Sequence, residues 1–74
     1  MDITVKLFAS LRPGRFGERI INFNQDCTVE RAIQDLGIPL AQVSIMLVND
    51  RQVDSVYRLS AGDVLSLFPP LGGG

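Results

Sequence analysis

Only one stretch of this sequence has the grammar of a helix, and that restricts the chain to a sheet with a single helical cover. Thr28 is a good N-cap and Glu30 brings negative charge into the first turn. Val29, Ala32, Ile33 and Leu36 then recur at helical spacing and make one apolar stripe. Gly37 stands where a C-cap glycine belongs, and Pro39 soon after prevents continuation. Residues 39 to 43 have room for one further short helical turn.

Elsewhere the apolar residues come in short runs with the period of strands. In residues 2 to 8, Ile3, Val5 and Leu7 alternate with Asp2, Thr4 and Lys6. Arg12-Pro13-Gly14 marks a turn, and residues 18 to 24 form a second strand pattern with Ile21 and Phe23 on one face, so a hairpin is expected. After the helix, residues 45 to 49 read as a third strand. Asn49-Asp50 is a turn signal before a short fourth strand around Gln52 and Val53, and residues 64 to 68 form the last strand. The order is hairpin, helix, strand, short strand, strand. The expected fold is therefore a two-layer α+β domain with about five strands and one helix against one sheet face. Its domain spans residues 1–68, and residues 69–74 form a flexible tail.

Size and charge remove several functional classes. A chain of 74 residues allows one domain. It buries only roughly 60% of its unfolded surface and has no residues to spare for a deep cleft. With no His at all, the commonest general base and the commonest metal ligand are both missing, and no metal site is expected. The lone Lys6 and six scattered Arg, in a chain of net charge −1, do not suggest nucleic acid. No apolar run approaches membrane-spanning length. The start of the sequence lacks a basic segment followed by an apolar core, so no secretory leader is expected. Cys27 has no partner for an internal disulfide, which fits a reducing, cytoplasmic compartment.

The most informative feature is Pro69-Pro70-Leu71-Gly72-Gly73-Gly74. The two prolines cannot donate to a ladder, so they end the last strand and favour a stiff, extended exit. Three glycines then supply a tip with no side chains, able to thread a narrow channel in any backbone geometry. Fully extended, this segment reaches roughly 20 Å. A carboxylate at neutral pH is a poor electrophile. An unhindered glycyl carboxylate suits an enzyme that must first give it a better leaving group inside a pocket.

Three other features are weighed beside the tail. By strand parity Phe8 and Phe68 point away from the helix. With Met46 and Val48 facing it, Leu47 lies outside too. Phe8, Leu47 and Phe68 then form an exposed apolar patch near the root of the tail, a partner surface unless loops or the turn around Tyr57 cover it. Cys27 precedes the helix N-cap, where a thiolate is stabilised, but no His or Lys neighbours it in sequence. A structural cysteine is the first reading and a sulfur relay the second. The acidic residues are spread along the chain as a solvated surface, with Asp54 and Asp63 in turns.

Lys6-Leu7-Phe8-Ala9-Ser10-Leu11-Arg12 resembles the first strand of the sulfur-carrier family that includes the molybdopterin synthase small subunit and the thiamine-biosynthesis sulfur carrier. Val48-Asn49-Asp50, Val53-Asp54, Leu59-Ser60-Ala61-Gly62-Asp63 and Leu67-Phe68-Pro69-Pro70-Leu71-Gly72-Gly73-Gly74 resemble its second half in order and spacing. The Phe-Pro-Pro lead-in is closer to the molybdopterin branch, since the thiamine branch usually lacks the double proline. The resemblance implies a ubiquitin-like β-grasp fold. It also implies that an E1-like adenylyltransferase uses ATP to adenylate Gly74. A sulfur donor of the cysteine desulfurase or rhodanese type then yields a thiocarboxylate. The tail from Pro69 through Gly73 inserts into the active site of the synthase large subunit, which consumes the sulfur in building a molybdenum or tungsten cofactor. The protein is thus expected to be a co-substrate of enzymes and to bind no cofactor of its own. Gly72 departs from the branch, which usually has a different small residue there.

Two other classes use the same features. A ubiquitin-like modifier would join Gly74 to lysines of target proteins, and a pure binding module would act through the apolar patch alone. A thiamine-pathway carrier is the alternative within the family.

Overall fold

The computed structural model describes residues 1–71. Gly72, Gly73 and Gly74, the tip of the expected tail, lie outside the described residues. The strands are β1 (Asp2–Leu7), β2 (Glu18–Asn22), β3 (Ile45–Val48), β4 (Arg51–Val53) and β5 (Val64–Phe68), with the helix α1 (Val29–Asp35) between β2 and β3. They form one mixed sheet in the order β2-β1-β5-β3-β4. The central pair β1 and β5 is parallel, and every other neighbouring pair is antiparallel. This is the α+β arrangement expected from the element order and the β-grasp fold that the resemblance implies.

The helix forms where its caps place it. Thr28 accepts from the Arg31 amide at 3.2 Å. At the other end Gly37, at φ +73°, closes a Schellman motif: its amide bonds the Gln34 carbonyl, and the Ile38 amide bonds that of Ile33. The first helical N–H groups have no partner within a helix. Here Val29 donates to Tyr57 and Glu30 to Ser55, so the segment from β4 back to β5 straps the helix N-terminus to the domain. The expected short turn after Pro39 is a 3-10 turn at Leu40–Gln42.

The core lies between α1 and one sheet face. Ile3, Val5, Leu7, Leu65 and Leu67 from the central strands meet Val29, Ala32 and Ile33 from the helix, all fully buried.

Three details correct the sequence reading. The strands are shorter than the patterns that announced them: Phe8, Phe23 and Asn49 fall just outside. Asn49 and Asp50 adopt φ of +52° and +67°, the two-residue primed turn that the β3–β4 hairpin demands, so the strand ends before Asn49. Ala9–Leu11 is a 3-10 turn that returns Leu11 to the core, where only a loop was expected. Asp63 is a turn residue but is not solvated. It is buried, accepting from the Asn49 side chain at 3.0 Å and the Ser60 amide at 2.8 Å. Asp54 is the surface turn residue expected, capping the Val56 amide.

Candidate functional site at the root of the tail

The register assigns every strand residue to a face. Phe68 lies opposite Ile45 and Ser66 opposite Leu47, while Lys6 is level with Ser66 and Thr4 with Val64. Directly paired residues share a face. The face away from the helix therefore carries Thr4 and Lys6 of β1, Val64, Ser66 and Phe68 of β5, and Ile45 and Leu47 of β3. Phe8 continues the β1 alternation onto the same side.

Phe8, Phe68 and Leu47 are thus on one face, as the parity argument required. Phe8 and Phe68 stack with ring centroids 4.3 Å apart and planes 7° from parallel. The pair is held by backbone on both sides, with the Phe8 amide bonding the Leu67 carbonyl and the Ser44 amide bonding that of Phe68. Arg12 lies over the outer side of the pair, its guanidinium carbon 5.6 Å from the Phe8 centroid, and its Nε donates to the Leu7 carbonyl.

The patch differs from expectation in degree. The aromatics cover each other, and Phe8, Leu47 and Phe68 are half-buried, between the exposed patch and the covered one that the sequence allowed. Ser66, on the same face, is buried. Tyr57 is exposed and lines a shallow hollow with Val48, Arg51, Gln52 and Val53 at the other end of β3 from the Phe68 pairing. Two members of the surface were not singled out in the sequence. Ile45 carried its signal two residues before Leu47, at the same strand parity. Arg12 carried none, since its position depends on the 3-10 turn at Ala9–Leu11.

From this surface the chain leaves the sheet. Phe68 is the last residue of β5, Pro69 is half-buried, Pro70 is exposed and Leu71 is 89% exposed. The last strand is central, so the tail departs from the middle of the sheet and not from an edge.

Cys27 belongs to another region. It is buried, and its Sγ lies 3.3 Å from the Thr28 carbonyl. Burial pushes its thiol pKa up, the Asp35 carboxylate adds to the rise, and Arg31 opposes it. A site before the helix N-cap therefore does not stabilise a thiolate here, and the structural reading of this cysteine holds. Among the described residues no group of His, Cys, Asp and Glu could hold a metal ion, and no helix is long and apolar enough to cross a membrane.

The sequence model of the ThiS family matches residues 5–74. No curated protein matches the chain in sequence. Among solved structures, SAMP1 of Haloferax volcanii is 26% identical over the whole of both chains, with a TM-score of 0.77. A second Haloferax volcanii protein, known from its solution structure, is 25% identical over all of this chain and 87% of its own, with a TM-score of 0.81. A chain from the complex of subunits 1 and 2 of the Helicobacter pylori molybdopterin-converting factor is 25% identical over the whole of both chains, with a TM-score of 0.69.

Proposed function

The chain belongs to the ThiS family of small, ubiquitin-like sulfur carriers, and from that premise we propose that it carries sulfur on the carboxyl group of Gly74 for synthesis of a molybdopterin-type cofactor. The observation that carries this reading is the exit of Phe68-Pro69-Pro70-Leu71 from the central strand, beside a stacked aromatic pair. A partner that grips Phe8, Phe68 and Leu47 holds the root of the tail, and the prolines carry the chain outward from there.

In the first step the Gly74 carboxylate attacks the α-phosphorus of ATP on an E1-like enzyme. Pyrophosphate leaves and an acyl-adenylate forms. A persulfide sulfur of the donor attacks the acyl carbon and AMP leaves. Reduction of the resulting acyl disulfide by a thiol frees the thiocarboxylate. The sulfur is then given up to a pterin precursor in the large synthase subunit. None of these steps needs a general base from this chain, in keeping with its lack of His. The likeness to one chain of the Helicobacter pylori complex of molybdopterin-converting factor subunits supports the choice of partner.

Intact mass measures the outcome directly. After incubation with ATP, an E1-like adenylyltransferase and a sulfur donor, the protein should gain the difference between one sulfur and one oxygen. Unchanged mass in the presence of active partners sinks the proposal. Deleting Gly74 should abolish the exchange while leaving the fold intact.

The similarity to SAMP1, a small archaeal modifier protein, supports a second reading in which the same activated glycine forms isopeptide bonds with lysines. A tagged chain would then give a ladder of larger conjugates that is resistant to thiols and lost on deletion of Gly74.

A further inference from the structure

The two edges of the sheet differ in what they leave unpaired. On β2, Met1 and Phe23 exchange both backbone hydrogen bonds with each other, and the Leu7 amide bonds the Gly17 carbonyl. Bonding pairs alternate along an antiparallel ladder, so Ile21 and Arg19 also turn their backbone groups toward β1. Glu18, Ile20 and Asn22 consequently turn theirs outward. On β4, the tight Asn49-Asp50 turn makes Val48 and Arg51 a bonding pair, which leaves only Gln52 facing out. The β4 edge is blunt. The β2 edge is a regular acceptor and donor row, and its middle residue, Ile20, is 67% exposed.

This row is complementary to itself in one register. A twofold axis normal to the sheet keeps like faces together, so a residue must lie at the centre. Centring on Glu18 or on Arg19 opposes like charges. Centring on Ile21 or on Asn22 leaves Glu18 outside the strand-to-strand pairing. Centring on Ile20 sets Ile20 against its own counterpart and Glu18 of each copy against Asn22 of the other. Every outward backbone group of β2 is then paired. The Asn22 amide nitrogen already gives one N–H to Asp2 and has a second for the Glu18 carboxylate of the other copy.

We infer that β2 is a self-pairing edge, through which two copies of this chain join in one continuous sheet by antiparallel pairing centred on Ile20. In that dimer both Phe8–Phe68 surfaces lie on the same side of the sheet. The two β5 strands run in opposite directions, so the tails leave from opposite ends and stay free for their partners. A single strand pair buries much less than the roughly 1,200 Å² of a stable interface, so the association is weak and reversible.

Sedimentation equilibrium of the intact chain up to about 1 mM, with backbone amide shifts followed over the same range, tests this. The expected result is a monomer–dimer equilibrium with concentration-dependent shifts at Glu18, Ile20 and Asn22. Ile20→Glu places like charges directly opposite each other and should weaken the dimer at least about tenfold. Its unfolding midpoint should not change, because Ile20 is exposed in the monomer. Asn22→Lys, which faces Glu18 in both directions, should tighten the dimer about fivefold. A chain that remains monomeric throughout overturns the inference. So does a dimer that Ile20→Glu leaves unaltered, or one whose shifts map to Phe8 and Phe68.

Discussion

The two faces of this sheet are built from the same strands but are finished differently. On β5, Leu65 and Leu67 point toward α1 and have no exposed surface, while Val64 and Phe68 point the other way and remain half-buried. The helix side is closed by aliphatic side chains from several elements. Among the described residues the opposite side has no covering layer: it pairs its largest rings with each other, with Lys6 and Ser66 in the next row. One face stores the domain's stability. The other keeps half-buried apolar surface, with its rings stacked on each other and not exposed singly. In a chain this small, the division lets the open face change without disturbing the core.

The sharpest way to break the comparison is to cut one large apolar side chain from each side. Leu65→Ala opens a cavity under α1 and should cost about 3 kcal/mol in a chemical-denaturation measurement, enough to threaten folding in a domain this small. Phe68→Ala removes a larger side chain, yet from a half-buried site, and should cost about 2 kcal/mol. If Phe68→Ala proves the more damaging of the two, the open face carries the fold and the division fails. A double-mutant cycle between Phe8→Ala and Phe68→Ala should return a coupling of about 1 kcal/mol from the stacked rings. A coupling near zero would mean that the rings touch without holding each other.

A smaller effect, confined to alkaline pH, marks the helix side. Below the ordinary thiol pKa, Cys27 is protonated in the folded and unfolded chain alike and adds no pH dependence. Above it the unfolded thiol ionises while the buried one stays neutral, so the unfolded state binds fewer protons and stability falls as pH rises. In Cys27→Ala the alkaline slope should be shallower than in the parent. Identical slopes would mean that the thiol is not desolvated. The smallest effect belongs to neither face: Arg31→Ala removes an exposed ion pair with Asp35 and should cost only about 0.3–0.5 kcal/mol, screened by salt.

Much of this was legible in the residues themselves. Strand alternation put Ile3, Val5 and Leu7 inside and Phe8 and Phe68 outside. Thr28 and Gly37 marked the helix ends, and Asn49-Asp50 marked the tight hairpin. These signals are local, and local sterics or capping enforce them. What escaped depends on contacts distant in sequence. The burial of Asp63 requires Asn49 to be held opposite it, and nothing near Asp63 announces that. The return of Leu11 to the core needs Ala9 at a φ of +50°, a conformation that its sequence does not advertise. The half-burial of the aromatic patch arises because Phe8 and Phe68 meet side by side, which parity allows but does not require. At Cys27 the helix terminus was a misleading cue, since desolvation outweighs it.

The parallel pairing of β1 with β5 also determines how the domain bears load. Two parallel neighbours have their starts at one end and their finishes at the other. Tension applied between Met1 and a partner that draws on the chain beyond Leu71 therefore runs along the pair and not across it. The rungs from Thr4–Val64 to Leu7–Leu67 are sheared together, so none can be peeled open before the rest. A pull along the chain beyond Leu71 is thus met by these parallel rungs acting together.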